Sequence, residues 1–469
     1  MKDIRIPLLI VLISCLIQQQ AAFSQSSPAL ALMPSIPQSC SINPAFDIPY
    51  YGWIGIPGIS GLFAGFENSA FTFQDAVYRS PDDSLHLDID GLIGHLSEKN
   101  YYYQFMSAEL LALGFHKNEY YFEGRFIERH FLSASYSKDM ISLLLNLNGD
   151  FIDKEVDLGY TGVDLTVANE INFGVSHNIR SQWRAGIRFK YLSGVANIYS
   201  KKTNVSLLTD KSEGYALTFN TDVEVCMNIP GMKIISVDSL DFEYDGTKTY
   251  HQFLAWQNPG CAFDIGLTFQ LLPNLMLGAS VQDLGFIRWK SDPVILVSDP
   301  EANTYTFHGI EIDDVNDPDF PTPGEYIDHL ADSLIQNLKV KALYKDYTSM
   351  LVTGVNLTAR YTIAGKNHLG FLLRNEFYNQ HIKPKLLLNY NYDAGKGLIL
   401  MAGYSLTTHS YGNLALGFSL NIGSIQFYMV SDHVLGNIML TRTKAASLQL
   451  GFNLCFKNRR TPSFQNNDQ

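Results

Sequence analysis

The sequence predicts an all-β protein, a transmembrane antiparallel β-barrel of about fourteen strands. Three observations lead to this prediction. Long segments alternate between apolar and polar residues, short turns alternate with long connections, and no stretch beyond the N-terminal 24 residues holds 18 uncharged apolar residues in a row. Alternation with period two is typical of strands, and the pattern of short and long connections is typical of outer-membrane barrels.

The composition narrows the possible classes of protein. Of the 469 residues, 46% are hydrophobic, 13% aromatic and 17% charged, with a formal net charge of −12. Globular proteins average about 25% charged residues, so the polar surface is unusually thin. The many aromatic residues argue against disorder, and the negative charge argues against nucleic-acid binding. A mean hydropathy of −0.02 also argues against a bundle of membrane helices.

The N-terminus predicts export. Lys2 and Arg5 precede an apolar run over 8–17 and a small-residue cleavage site at 22–24, so residues 1–24 read as a signal peptide. An alternative is lipidation of Cys15, because 12–15 resembles a lipobox. We favour the signal peptide because apolar residues continue past Cys15. The predicted location is the cell outer membrane.

Strict alternation fills segments such as 183–191, 385–392 and 414–422. These segments are longer than the strands of a soluble sandwich, which favours a barrel with apolar side chains toward lipid. The other face then lines the lumen, with the candidates Arg184, Arg188, Lys190, Asp264, Arg360, Arg374 and Glu376. Such residues can select solutes, or they can form ion pairs that brace the wall and hold a plug. We favour the ion pairs.

The connections can be counted. Six short turns lie near 116–119, 178–182, 272–274, 364–367, 393–396 and 421–424, and seven connections, most of them long, lie near 74–100, 137–156, 199–260, 291–349, 379–383, 408–412 and 433–445. Together they join fourteen strands within 60–457, with an extra hairpin possible within 199–226. Helical spacing predicts short loop helices near 85–96, 140–147 and 326–338. Aromatic residues near segment ends predict interfacial girdles from Tyr101, Tyr102, Tyr103, Tyr120, Tyr121, Trp183 and Trp289.

The last predicted strand carries one apolar stripe, formed by Leu448, Leu450, Phe452, Leu454 and Phe456. It resembles the C-terminal signal by which the barrel-assembly machinery recognises its clients. A polar tail, predicted to be periplasmic, follows at 458–469, whereas many barrels end on the aromatic residue.

Several short motifs, in this order, carry a family resemblance: Asn43-Pro44-Ala45, Lys190 to Gly194, Asp264 to Leu267, Gln282 to Gly285, and Ser431-Asp432-His433. The chain resembles a Bacteroidota family of uncharacterised outer-membrane barrels, related to the long-chain fatty-acid transporters and to type IX secretion barrel proteins. The resemblance implies that residues 25–59 fold into the lumen as a plug containing Asn43, Pro44 and Ala45. The loops differ from those of the fatty-acid transporters, so no ligand-binding residue is carried over.

No hydrolase, metalloprotease, phosphate-binding or dinucleotide motif is present, so we predict neither enzymatic activity nor a cofactor. An acidic cluster within 313–319 could hold calcium, but a solvated loop is the preferred interpretation. His433 beside Asp432 reads as a polar pair at the rim. The cysteines Cys40, Cys226, Cys261 and Cys455 lack metal-binding spacing and are expected to be free thiols, although a disulfide is open.

The predicted function is a plugged channel through which a hydrophobic or small solute diffuses. The alternative is a non-transporting accessory barrel of type IX secretion or surface assembly. The expected partners are outer-membrane lipid, the barrel-assembly machinery during biogenesis, and for the alternative a secretion or surface-lipoprotein partner.

Overall fold

A computed structural model describes residues 27–81, 84–146, 151–236, 241–245, 256–308, 337, 340–363, 365–378, 382–407 and 413–458. Its main feature is a closed antiparallel barrel of fourteen strands, which confirms the predicted fold class. The wall strands, in chain order, are β1 (Tyr50–Gly55 and Leu62–Asn68), β2 (Lys99–Lys117), β3 (Tyr120–Ser137), β4 (Gly162–Arg180), β5 (Trp183–Asp210), β6 (Asn258–Leu272), β7 (Leu275–Trp289), β8 (Tyr347–Met350 and Thr353–Thr362), β9 (Asn367–Phe377), β10 (Ile382–Gly395), β11 (Leu398–Thr407), β12 (Asn413–Ile422), β13 (Ile425–Ser431) and β14 (Ala445–Asn458).

Each strand pairs with its neighbours in sequence, and β14 closes the ring onto β1. The closing register places Tyr50 opposite Asn458 and Leu62 opposite Leu450. The wall therefore begins at Tyr50, within the segment 25–59 that was expected to lie in the lumen. Pro49 and Pro57 flank the first part of β1 and led us to expect irregular structure there. The chain instead joins the wall at Tyr50, leaves the ladder over 56–61, where Ser60 is buried, and rejoins it at Leu62.

The six short turns lie at one rim of the barrel, and the seven other connections lie at the opposite rim, as predicted. The connections at that second rim carry short helices: α1 (Phe73–Ala76), α2 (Ile89–His95), α3 (Lys138–Asn146) and α4 (Val434–Ile438). Helices near 85–96 and 140–147 are thus confirmed, while the acidic cluster at 313–319 and nearly all of the helix expected at 326–338 lie outside the described residues. No helix in the described part of the chain is long and apolar enough to cross a membrane.

The wall has an apolar outer face and a polar inner face. On β5, for example, Ile187 is 46% exposed while its neighbour Arg188 is 2% exposed. Exposed apolar side chains occur on nearly every wall strand, which is the pattern of barrels that meet lipid. The girdle prediction is wrong for Tyr103, Tyr121 and Trp289, which are buried on the inner face. Alternation sends only every second residue outward, whatever its distance from the strand end.

At the second rim the sheet extends beyond the ring. β5 has 28 residues, and the part of it nearest the second rim, called the upper rim from here on, pairs with Ala216–Asn228, which confirms the extra hairpin. The strand Ala216–Asn228 pairs in turn with Val294–Val297 and Thr304–Phe307. Lys341–Leu343 then pairs with Val294–Val297, and Glu155–Asp157 pairs with β5. Met232–Ser236 pairs with Asp241–Tyr244, and Val77–Arg79 with Leu85–Leu87, as separate hairpins. The four cysteines of the described chain are free, as expected.

Candidate functional site

Residues 27–49 lie inside the barrel and are called the plug below. Two 3₁₀ turns, Pro28–Leu32 and Pro37–Ser41, each begin with a proline, whose fixed φ suits the first position of a helical turn. Among the described residues, the backbone hydrogen bonds of the turns in 27–46 stay within the plug. The plug is therefore held by side chains and not by the ladder that closes the barrel wall.

Toward β9–β14 the plug packs on apolar side chains. Leu30, Leu32, Met33 and Ile36 are at most 1% exposed. They belong to one buried cluster with wall residues Leu372, Leu387, Met401, Tyr428 and Val430. This side of the lumen is consequently sealed against water.

Polar wall side chains hold successive plug carbonyls. Asn391 Nδ2 donates to Leu32 O at 2.9 Å, Gln426 Nε2 to Ser35 O at 2.8 Å, Arg125 Nη2 to Pro37 O at 3.3 Å, Arg188 Nη2 to Cys40 O at 2.7 Å, Gln282 Nε2 to Ser41 O, and Ser280 Oγ to Ile42 O at 2.7 Å. These bonds satisfy backbone groups that have no strand partner. The wall thus fixes the path of the plug.

Gln38 is the main plug side chain that reaches the wall. Its Nε2 lies 3.0 Å from Ser60 O, 3.0 Å from Glu109 Oε2 and 2.9 Å from Asn453 Oδ1. Asn453 Nδ2 returns a hydrogen bond to Gln38 Oε1 at 2.9 Å. Gln38 therefore joins the plug to β1, β2 and β14 at the seam where the barrel closes.

The plug motif Asn43-Pro44-Ala45 rests on glycines of two adjacent strands, β5 and β6. A Cβ at Gly186 would come within 3.0 Å of the Pro44 carbonyl, and one at Gly266 within 3.0 Å of the Asn43 amide, closer than real Cβ atoms come. Asn43 Oδ1 also accepts from Ala45 N at 2.9 Å. The absence of side chains at these wall positions creates the seat for the motif.

The first described plug residues are bound by the loop after β13. Asp432 accepts hydrogen bonds from Ser27 Oγ at 2.7 Å and from Ala29 N at 3.0 Å. His433 is 4% exposed, and its Nδ1 lies 3.2 Å from Ser447 Oγ. This pair is buried beside the plug, which corrects its predicted place at the rim.

A charged layer lies against the plug on the β2–β7 side. Arg125 contacts Glu109 at 2.7 Å and Glu123 at 3.0 Å, and Arg188 contacts Glu123 and, at 2.6 Å, Asp264. The same two arginines hold the carbonyls of Pro37 and Cys40, so the ion pairs orient the groups that fix the plug.

The layer continues through Lys190 and Arg129. Lys190 Nζ lies 2.9 Å from Asp264 Oδ1 and 2.7 Å from Asp283 Oδ1. Arg129 forms two 2.9 Å bonds to Asp283 and one of 2.6 Å to Glu170. Asp283 takes a positive φ of 55°, a conformation that costs energy for a residue other than glycine. Each cation of the layer meets at least two carboxylates, which leaves its charge balanced within the wall.

Above the charged layer, aromatic rings cross the lumen. Tyr103 of β2 lies 5.0 Å from Tyr378, which follows β9, and Phe131 of β3 lies 5.8 Å from the same ring. Lys383 Nζ lies 4.1 Å from the Tyr103 ring centre and 2.6 Å from Glu67. A polar cavity of about 60 Å³ lies between the charged layer and the plug residues Ser41 and Ile42, and a cavity of about 70 Å³ is lined in part by Phe131 and Tyr378. The rings therefore narrow the lumen between the plug and the upper rim.

The side chains of all seven predicted lumen residues lie on the inner face of the wall. Arg188, Lys190 and Asp264 meet in the charged layer, while Arg184 lies 3.4 Å from plug residue Asp47. Arg374 donates to Gln282 at 2.6 Å and Glu376 at 2.8 Å, and Arg360 lies 5.7 Å from the Phe46 ring.

Sequence reasoning missed six of the nine residues of the charged layer and the plug side chain that joins it, namely Gln38, Glu109, Glu123, Arg125, Arg129, Glu170 and Asp283. The sequence does contain a pattern that could have identified two of them. Glu123 and Arg125 alternate with Phe122 and Phe126 on β3, just as Arg184 and Arg188 alternate with apolar residues on β5.

A model of the family described as "Family of unknown function (DUF5723)" matches residues 44–432. No curated protein matches the chain in sequence. Among solved structures, the chain is similar to the Pseudomonas putida toluene transporter TodX (8% identity, 92% of this chain and 98% of that chain, TM-score 0.38), the Ralstonia pickettii toluene transporter TbuX (10%, 95% and 98%, 0.38) and a Pseudomonas aeruginosa FadL homologue (10%, 93% and 100%, 0.42). The family match spans more than half of the chain.

Proposed function

The chain belongs to the family of unknown function DUF5723, and we propose that it is a plugged outer-membrane channel for a hydrophobic or small solute. The observation that carries the proposal is the plug, which occupies the lumen of a closed barrel without joining its strand ladder. A segment held in this way can move while the wall stays closed.

The apolar outer face supports the outer-membrane location. Short turns face the periplasm in such barrels and longer loops face outward, which puts the plug in the periplasmic half and the aromatic layer in the extracellular half. Export requires the predicted signal peptide at 1–24, which lies outside the described residues. Assembly requires the barrel-assembly machinery, for which the apolar stripe of β14 is the proposed signal.

The layers suggest a route. A solute entering from outside first meets rings such as Tyr103, Phe131 and Tyr378, which present apolar faces. It then meets the polar cavity and the plug. Every cation of the charged layer is already paired with at least two carboxylates, which supports its structural role and disfavours an anionic solute.

Deletion of residues 27–48 tests the proposal, because it removes the plug and keeps β1. In a planar bilayer the deletion variant should show large, steady conductance, while the full chain conducts little. A deletion variant that shows the heat-modifiable gel mobility of a folded barrel and conducts no more than the full chain would refute the plug's role.

The solute class needs a separate comparison. Cells whose outer membrane carries the deletion variant should take up the apolar dye N-phenyl-1-naphthylamine faster than cells carrying the full chain. A neutral sugar of similar mass serves as the polar probe. Faster entry of the sugar alone would replace the hydrophobic solute with a small polar one.

A second candidate is an accessory barrel of type IX secretion or surface assembly. The extension above β5 favours it, because Val156, Leu207, Leu217 and Phe307 form a separate buried cluster there that a pore does not need. Cross-linking in intact outer membranes tests this candidate. A partner, such as a surface lipoprotein, captured by the full chain and lost on replacing 199–228 with a short turn would support it, and unchanged capture would exclude this surface.

A further inference from the structure

Within the described residues, the wall has a gap between the end of β13 and the upper rim. This strand has 7 residues, whereas β12 has 10 and β14 has 14. The β12–β13 pairing runs up to Leu416 opposite Ser431, and the β13–β14 pairing up to Val430 opposite Gln449. Beyond these pairs, the upper ends of β12 and β14 have no strand between them.

Helix α4 fills this gap. Gly436 approaches β14 so closely that a Cβ there would overlap the carbonyl of Ala445. Asn437 Nδ2 donates to Ser431 Oγ at 3.0 Å and to Ser447 O at 2.8 Å. A one-turn helix with side-chain hydrogen bonds therefore stands in for a strand of the ladder.

A groove of about 1230 Å³ lies on the outer face of the wall below this helix. Small side chains, among them Ala64 and Ala402, form its shallow parts. Larger outward-facing side chains border it, namely Phe66, Tyr390, Tyr392, Leu400, Leu416, Phe418, Met429 and Leu448, with Val434 and Leu440 at its upper end. Tyr390, Leu400 and Leu416 are 40–45% exposed, so the groove is continuous with the lipid-facing surface.

We propose that this groove binds an acyl chain of an outer-membrane lipid, with α4 closing its extracellular end. The groove is open toward the bilayer and lined mainly by apolar side chains. Leu435, Ile438 and Met439 are 47–75% exposed and extend the apolar surface above it.

The affinity must come from shape. Lipid tails are as apolar as the groove, so entry from the bilayer gains packing contacts and no hydrophobic transfer energy. A concave site surrounds a chain on more sides than the flat wall does, and each added contact contributes dispersion energy. We expect an occupancy about fivefold above that of the flat wall, equivalent to about 1 kcal/mol.

The groove also adjoins the plug. Asp432, which holds Ser27 and Ala29, lies two residues before Val434 of α4. The segment that closes the groove thus contacts the plug on its lumen side.

Photocross-linking tests the site. Full-length protein is reconstituted with phosphatidylethanolamine carrying a diazirine in its acyl chain, and adducts are mapped by mass spectrometry. We expect adducts on peptides around Ala402 and α4 about fivefold above those around Ala279, an outward alanine on the far wall strand β7. The substitution Ala402→Phe fills the groove and should remove this enrichment, whereas Ala279→Phe should not.

Both variants are first shown to be folded by heat-modifiable gel mobility. Even labelling of all lipid-facing peptides would overturn the proposal, as would enrichment that persists in Ala402→Phe. Protein–protein cross-links at the groove peptides in place of lipid adducts would assign the groove to a second copy of the chain and would also overturn it.

Discussion

Adding one methyl group at Gly186 should unseat the plug while leaving the wall closed. A Cβ there would lie within 3.0 Å of the Pro44 carbonyl and 2.7 Å from the Ala45 nitrogen. These are backbone atoms, so no side-chain rotation in the plug relieves the clash. Overpacking of this kind costs about 1–3 kcal/mol, which changes the ratio of seated to displaced plug by about 5- to 150-fold.

Single-channel recording measures the effect as open probability. Gly186→Ala should raise it by that factor. The matched control is Gly124→Ala on β3, where the nearest neighbour of the added methyl is a Phe173 carbon at 3.7 Å, an ordinary contact. Equal open probabilities in two folded variants would refute the reasoning.

A double substitution separates a clash with the plug from damage to the wall. At Gly266 the added methyl would overlap the side-chain amide of Asn43 and lie 2.8 Å from Cδ of Pro44. Asn43→Ala removes the closer of these contacts, so it should lower the open probability of Gly266→Ala part of the way toward that of the unchanged chain. It should not rescue Gly186→Ala, because that clash involves the backbone.

Three further predictions concern the plug and its surroundings. Burial raises the pKa of Cys40 to about 12, so in a variant without other cysteines a maleimide should label it slowly at pH 8 and faster after Gly186→Ala; equal rates would contradict a seated plug. Arg188→Met removes one of the two cations that contact each of the buried carboxylates Glu123 and Asp264, and should cost about 3–5 kcal/mol, lowering the temperature of the heat-modifiable shift. Lys202→Ala, in an exposed pair, should cost less than about 1 kcal/mol, and similar shifts for the two variants would contradict this prediction. Burial lowers the pKa of His433 to about 4, so between about pH 6.5 and 4 the unfolded chain binds a proton that the folded chain does not. The free energy of unfolding should therefore fall by up to about 3 kcal/mol over this range, and His433→Asn should flatten that pH profile.

Alternation was enough to predict the strand number, the turns and the inner face. It depends only on neighbouring residues, so local sequence carries it. It could not predict that Tyr50–Gly55 belongs to the wall, because Pro49 and Pro57 flank the strand and its pairing partners lie in β2 and β14. Those contacts form only when the barrel closes.

The sequence also could not predict which charged residues form ion pairs inside the lumen. Arg129 meets Asp283 across 154 positions of sequence and four strands of the ring. Parity indicates that Arg129 faces inward, but it fails at Asp283, because the neighbouring Gln282 is also buried on the inner face. The curvature of the closed wall decides which inward residues meet. The same limit applies to the seat of Asn43, because a glycine in a strand does not reveal what approaches it.

The two sides of the plug are held by a different balance of forces, and this limits how the plug can move. On the β9–β14 side apolar packing predominates, with added hydrogen bonds from Asn391 and Gln426 to the carbonyls of Leu32 and Ser35. On the β2–β7 side, carbonyls such as those of Pro37, Cys40 and Ile42 are fixed by oriented donors. At about 1 kcal/mol per neutral bond and about 1.5–3 kcal/mol per charged one, these anchors contribute several kcal/mol. Ejection of the whole plug by thermal motion alone should therefore be rare. Opening must be local or driven by a solute that binds the displaced plug more tightly, because a ligand shifts an equilibrium only through its differential affinity.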